Sequence, residues 1–224
     1  HHTGRENYLL QKKNKAVGPS AIPSYVFGFL GTPREMTLAE VEETIAAFGS
    51  AAVRARKAGF DAVELPGAHG YLLMQFLSAL SNQRKDRYGG DFRGRARFMI
   101  ECLREVRRQV GTDFPVSIRI SGEEFIKNGY TISDMETILP DLVNAGADII
   151  NVSFGTHGSP AVNIDTPNPS APAARRRQSV AAIAWPASPV WSRAAAASSI
   201  TSNSATAAGV WGVRRRCSCN RTTR

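Results

Sequence analysis

The feature that most constrains the fold is an alternation of short apolar segments with longer amphipathic ones. Thr37-Leu38-Ala39-Glu40 has the Thr-x-x-Glu form of a capping box, and Leu38, Val41, Ile45 and Phe48 then recur at helical spacing. A helix over about 37–58 follows, stopped by Gly59. Asp61 to Leu65 reads as a strand, and Arg95 to Val110 as a second helix carrying Met99, Cys102, Leu103, Val106 and Val110 on one face. Pro115 to Ile120 reads as a second strand. Ser133-Asp134-Met135-Glu136 starts a third helix that Pro140 should kink and Gly146 ends, before a third strand over Ala147 to Val152. Strands and helices alternating at these lengths predict right-handed βαβ units around a parallel sheet, either doubly wound or closed into a (β/α) barrel. Polar residues crowd positions 66–71, 121–124 and 153–159, just past the strand ends, where both architectures place their active sites. No Gly-x-Gly-x-x-Gly follows a strand and no Walker phosphate loop is present, so a nucleotide-binding Rossmann sheet has less support.

Charge divides the chain in two. The formal net charge is +9, yet residues 1–165 hold 19 Lys and Arg against all 19 Asp and Glu, while 166–224 hold 9 Arg and no acid. The basicity therefore belongs to the tail. That tail has 14 Ala and 9 Ser and lacks Lys, Leu, Phe, Tyr and Met, a composition that cannot build an ordinary core. It reads as a disordered Ala/Arg/Ser segment or as GC-rich coding DNA translated out of frame, and the second is favoured. Residues 1–165 are expected to form the folded unit and 166–224 the tail. The clusters Arg175-Arg176-Arg177 and Arg214-Arg215-Arg216 raise an alternative, a non-catalytic fragment with a nucleic-acid-binding arm, although charge runs of this length are usually just solvated.

No apolar run approaches the roughly 18 residues of a membrane span, and no signal-peptide pattern is present, so a soluble cytoplasmic protein without a membrane partner is expected. Cys102, Cys217 and Cys219 do not make a disulfide framework; Cys102 reads as a small core residue. No metal site is expected.

On the strand 115–120, Val116, Ile118 and Ile120 share one face, and Ser117, Arg119 and Ser121 the other. In a barrel both faces are buried, so an inward Arg119 calls for a negative partner, either Glu64 or an anionic ligand. His69 and Tyr71 stand on a loop flanked by Gly67 and Gly70, and a His donor with a Tyr hydroxyl at a strand's carboxyl end could bind a carbonyl oxygen and deliver a proton beside it.

The stretch VELPGAHGYLLMQFLSALSNQRKDRYGGDFRGRARF resembles the signature of the Old Yellow Enzyme family of FMN-dependent oxidoreductases, which includes dienoyl-CoA and enoate reductase branches. HHTGREN and PREMT upstream, and FPVSIRIS and GADIINVS downstream, resemble other segments of that family in the same order, covering about residues 1–160. The resemblance implies a (β/α)₈ TIM barrel, present here as about strands three to six and so truncated at the front and interrupted at the back. It implies FMN as cofactor, reduced by NADH or NADPH, and hydride passed to an activated C=C bond of an unsaturated carbonyl or acyl-CoA substrate. Carried onto this sequence, Arg119 would contact the flavin's pyrimidine edge, His69 the substrate carbonyl oxygen, and Tyr71 would protonate the carbon next to it. Many relatives have a second His donor where this chain has Pro66, so the oxygen-binding site departs from the family plan; losing one such donor costs about 2.7–4 kcal/mol of activation energy. His157 matches a histidine of the dienoyl-CoA reductase branch and is a candidate second acid. Asn82, Arg84, Asp86, Tyr88, Gly89 and Gly90 also match the family, and for them a structural role is expected, bracing a long loop.

Overall fold

The computed structural model describes residues 3–7, 16–24 and 31–156, together with the backbone of 181–184 and 211–212. A single 3₁₀ turn, Gly4–Glu6, and a two-residue parallel ladder of β1 (Val17–Gly18) and β2 (Arg34–Glu35) precede the main sheet. The first long helix, α1 (Leu38–Lys57), starts where the sequence places it. Thr37 Oγ1 accepts from Glu40 N–H while the Glu40 carboxylate accepts from Thr37 N–H, the reciprocal capping box.

The strand expected over 61–65 is β3 (Val63–Gly67), displaced two residues toward the carboxyl end. Phe60 N–H still bonds back to Ala55 O at the end of α1, and the ladder opens only where Val63 N–H meets Pro115 O. The next helix, α2 (Leu72–Leu77), has no counterpart in the sequence reading. All six of its residues are buried, so it shows no amphipathic period. The helix expected from Arg95 begins earlier, as α3 (Phe92–Val110), because Asp91 accepts from Gly94 N–H at 2.7 Å and caps it. Strand β4 (Val116–Ser121) and strand β5 (Ile149–Ser153) fall within two residues of expectation. Between them the single kinked helix is replaced by two, α4 (Ile132–Glu136) and α5 (Leu139–Asn144). Pro140 lies in the first turn of α5, where its missing N–H has no helical partner to lose.

The strands β3, β4 and β5 pair in parallel and in chain order, without the reversal of a doubly wound sheet. Helices α1 and α3 pack against each other beside the sheet, and the core is built from Leu65, Phe76, Tyr88, Phe98, Met99, Leu103, Ile118 and their neighbours. Cys102 is fully buried in it, and burial pushes its thiol pKa up, in keeping with a structural residue. The loop from Ser78 to Asp91 is braced as expected: Asn82 Nδ2 donates to Phe76 O and Tyr88 O, and Arg84 reaches Pro19 O and Met36 O. Gly89 is required here, since a Cβ would lie 2.0 Å from the Arg84 carbonyl oxygen.

Two short segments from the Ala/Arg/Ser-rich region close the sheet. Strand β6 (Ala181–Ala184) pairs with β5 and β7 (Trp211–Gly212) with β3, both antiparallel, giving the order β6-β5-β4-β3-β7. An all-parallel barrel would have parallel neighbours at these edges. An open edge instead offers a row of unpaired backbone groups to any extended segment. Cys217, Cys219 and both arginine clusters lie outside the described residues. Among the described residues no helix is long and apolar enough to cross a membrane, and no group of three His, Cys, Asp or Glu side chains is placed to hold a metal.

Candidate active site

The strand register stacks polar side chains in rungs across one face of the sheet. Glu64 stands opposite Ser117, Pro66 opposite Arg119, and Arg119 opposite Asn151, with Ser121 opposite Ser153 above them. Period-two alternation puts Val63, Leu65, Val116, Ile118 and Ile120 on the other face, toward the core.

Glu64 is the hub of the lower rungs. Its Oε1 accepts from Arg119 Nε at 3.0 Å, and its Oε2 accepts from Ser117 Oγ at 3.0 Å and from Asn151 Nδ2 at 3.1 Å. The negative partner that Arg119 requires is therefore present. The pair uses only Nε, and the two terminal guanidinium nitrogens make no hydrogen bond among the described residues, with the Arg119 side chain still 38% exposed against 18% for Glu64. Beside it, Asn151 Oδ1 is buried without a hydrogen-bond partner. An orphaned acceptor at the edge of an ion pair with spare donors is the polar signature of a site built to receive something else.

The loop after β3 carries the other expected residues. Pro66, His69 and Tyr71 are each half-buried. His69 adopts φ 61°, a left-handed conformation uncommon for a non-glycine residue, and its N–H donates to Ser121 Oγ at 3.1 Å. Its Nε2 lies 2.6 Å from Ser153 Oγ. Tyr71 is the N-cap residue of α2 through its backbone, and its side chain makes no capping bond. Gln75 then ties this loop to the amino-terminal segment: Nε2 donates to Gly70 O at 2.7 Å and Thr3 O at 3.0 Å, while Oε1 accepts from Arg5 N–H. Pro66, His69, Tyr71 and Arg119 thus gather at the carboxyl ends of β3 and β4. His157 lies outside the described residues.

Three residues of the site were not singled out in the sequence: Gln75, Asn151 and Ser153. Strand parity was the available signal for Asn151 and Ser153. Gln75 gives no local sign, because what it joins is separated by about 70 residues of chain.

Glu124, just past β4, is a further buried acid. Burial raises its carboxyl pKa, and bonds from Ser78 and Tyr130 N–H with the attraction of Arg5 and Arg95 offset that only in part. A carboxyl whose folded pKa is raised contributes stability fully below its unfolded pKa and loses it as pH rises through the folded value. Glu124→Gln is expected to flatten the pH dependence over that window and to be more stable than the parent at neutral pH. Urea midpoints from about pH 4 to about pH 8 check this; a variant less stable at neutral pH would show that the carboxylate's hydrogen bonds outweigh its desolvation.

Comparison with known proteins matches this arrangement to one family. Residues 1–183 match the model of the NADH:flavin oxidoreductase / NADH oxidase family, past the point where the motif resemblance ends. The chain is 44% identical to the NADH oxidase of Thermoanaerobacter brockii over 161 residues, covering 71% of this chain and 24% of that protein. It is 42% identical to the NADPH dehydrogenase of Geobacillus sp. (strain WCH70) over 154 residues, 69% of this chain and 43% of that protein. Among solved structures it resembles 2-naphthoyl-CoA reductase in complex with 2-naphthoyl-CoA, with TM-score 0.66 and 33% identity over 71% of this chain and 26% of that one. It also resembles morphinone reductase in complex with tetrahydroNAD, with TM-score 0.59 and 28% identity over 67% of this chain and 46% of that one. The chain therefore spans between about a quarter and under half the length of these relatives. With the Old Yellow Enzyme motifs, the parallel β3-β4-β5 unit and the family match in agreement over the same residues, the chain belongs to the NADH:flavin oxidoreductase / NADH oxidase family.

Proposed function

We propose that this chain is the middle portion of an FMN-dependent oxidoreductase of Old Yellow Enzyme type, an incomplete (β/α)₈ barrel holding about strands three to six, that reduces a C=C bond conjugated to a carbonyl. The observation that carries the reading is the Glu64–Arg119 pair at the mouth of the sheet. Arg119 is locked through Nε while its terminal nitrogens make no hydrogen bond among the described residues, and the orphaned Asn151 Oδ1 lies one strand away. Two donors with a positive charge and one acceptor suit the pyrimidine edge of a flavin, which carries both acceptors and an N–H. The residues present fit that group.

Bound FMN, reduced by NADH or NADPH, would supply the hydride. Arg119 would hold the flavin's anionic edge, its own position fixed by Glu64. His69, held by its N–H bond to Ser121 and by Ser153, would favour the charge that builds on the substrate's carbonyl oxygen. Tyr71, two residues on, would give the proton of its phenol oxygen to the carbon next to that carbonyl. Substrates of this class are unsaturated ketones, acids or acyl-CoA thioesters.

The test is a titration of the chain with FMN, followed by the visible spectrum and the quenching of flavin fluorescence. Saturable binding is expected, weakened about 10–100-fold in Arg119→Leu, the loss of charged hydrogen bonds worth roughly 1.5–3 kcal/mol. Binding unaffected by Arg119→Leu would sink the assignment of that residue, and no binding at all would sink the flavin reading for this chain.

A further inference from the structure

We propose that Ser153 supplies the oxygen-binding donor that Pro66 cannot, with its hydroxyl polarised from behind by His69, which acts on the oxygen through Ser153. The inference rests on the ene-reductase reading above. Position 66 offers neither a side-chain donor nor a backbone N–H, so β3 supplies no donor to a bound oxygen at that position.

The partner comes from β5 instead. Ser153 ends that strand opposite Ser121, on the same face as Arg119 and Asn151, and is half-buried. Its Oγ lies 2.6 Å from His69 Nε2, and the hydroxyl makes no other hydrogen bond among the described residues. A hydroxyl has one hydrogen to give and two lone pairs to receive with. If Nε2 carries its proton and donates to Oγ, the Ser153 hydrogen is left to point outward toward a bound oxygen. Charge developing on that oxygen strengthens the Ser153 bond, and the imidazole N–H behind it strengthens it further, since donors in series polarise one another. No proton changes owner along this chain.

The surrounding geometry holds Ser153 for such a task. Gly122 N–H donates to Ser153 O and Gly155 N–H to Glu123 O, both at 2.8 Å, and Ser121 Oγ donates to Gly155 O at 2.7 Å. The loops after β4 and β5 are therefore laced together, and the His69 loop is laced to them through Ser121 Oγ. His69 accepts a left-handed backbone in reaching across β4 to β5. A non-glycine residue held there by contacts to two further strands is what a preorganised donor requires.

The experiment has two readouts on the full chain. In ¹⁵N-histidine NMR, neutral His69 is expected as the Nε2-protonated tautomer; the Nδ1-protonated form, with Ser153 donating into Nε2, overturns the proposal whatever the activity. With FMN and NADH loaded and 2-cyclohexen-1-one as substrate, Ser153→Ala is expected to lower kcat by about 10²–10³-fold, with KM and flavin reduction by NADH little changed. Ser153→Thr, which keeps the hydroxyl, should recover most of the rate and guards against a folding defect. An alanine variant that turns over like the parent, or a threonine variant as slow as alanine, overturns the proposal. A parent chain that binds FMN but reduces no unsaturated carbonyl sinks the ene-reductase reading instead, and the donor role of Ser153 with it, while the tautomer still reports the Ser153–His69 bond separately.

Discussion

Replacing Arg84 by methionine is expected to lower the stability of the folded chain by about 3–5 kcal/mol, from two buried carbonyls left without its donors and a half-buried ion pair broken from one side. The Arg84 side chain is 3% exposed. Its Nη1 donates to Pro19 O at 2.9 Å and Met36 O at 2.7 Å, and its Nη2 to Asp86 at 2.6 Å. One guanidinium therefore joins the segment 16–24, the start of α1 and the long loop before α3. Methionine fills most of the volume but leaves two carbonyls without this donor and the Asp86 carboxylate with only the Tyr88 N–H. Against a total stability of roughly 5–15 kcal/mol, the variant is expected to be largely unfolded in mild denaturant. The urea midpoint measures it directly, and a loss below about 1 kcal/mol would mean that water replaces the guanidinium.

The same substitution has a pH signature. The Arg84 hydrogen bond lowers the Asp86 pKa, outweighing the opposing effect of burial. An acid whose folded pKa is depressed contributes stability above its unfolded pKa and loses it as pH falls through the folded value. In Arg84→Met most of that acid-sensitive part should be lost, with the Tyr88 N–H and Arg87 contributions remaining, so parent and variant should converge as the pH falls.

Tyr71→Phe is expected to slow alkene reduction by about 10²–10⁴-fold, the usual contribution of a positioned general acid, while leaving flavin reduction by NADH or NADPH unchanged. The ring and the backbone that caps α2 are retained, and the phenol makes no capping bond, so α2 should stay intact. The two half-reactions are separated by stopped-flow: anaerobic reduction of the flavin first, then mixing with an unsaturated ketone. Equal slowing of both steps would point to a displaced cofactor rather than a missing proton, and an unchanged second step would pass the proton donor role to another group or to water. His69→Ala under the same protocol should raise KM as well as lower kcat, because the hydroxyl that meets the substrate's oxygen loses its support before and during reaction.

Much of the scaffold is local and was legible. The Thr37–Glu40 capping box starts α1, and Gly59 follows its end with φ 80°. Period-two parity assigned Ser117, Arg119 and Ser121 to one face and offered Glu64 as one of two candidate partners for Arg119, and the structure pairs them at 3.0 Å. The two misses have separate causes. Helix α2 is surrounded by core on every side and so shows no period. Pro140 begins a helix where it was expected to bend one, because Thr131 and Asp134 had already capped a separate short turn ahead of it.

By itself, the sequence determined most of the strand and helix alternation and the polar row on β4, and its family resemblance pointed to the residues proposed for a flavin and a carbonyl oxygen. The alternation and the polar row depend on neighbours within a turn or two of chain. Only the tertiary structure decided that His69 bonds to Ser153, 84 residues away, that Gln75 anchors the amino-terminal segment, and that Asn151 is left with an unsatisfied oxygen beside Arg119. Those contacts depend on the register of three strands and on loops that cross between them. Parity tells which face a side chain takes, but the rung it occupies is set by how the strands slide against one another, which is settled by packing over the whole sheet.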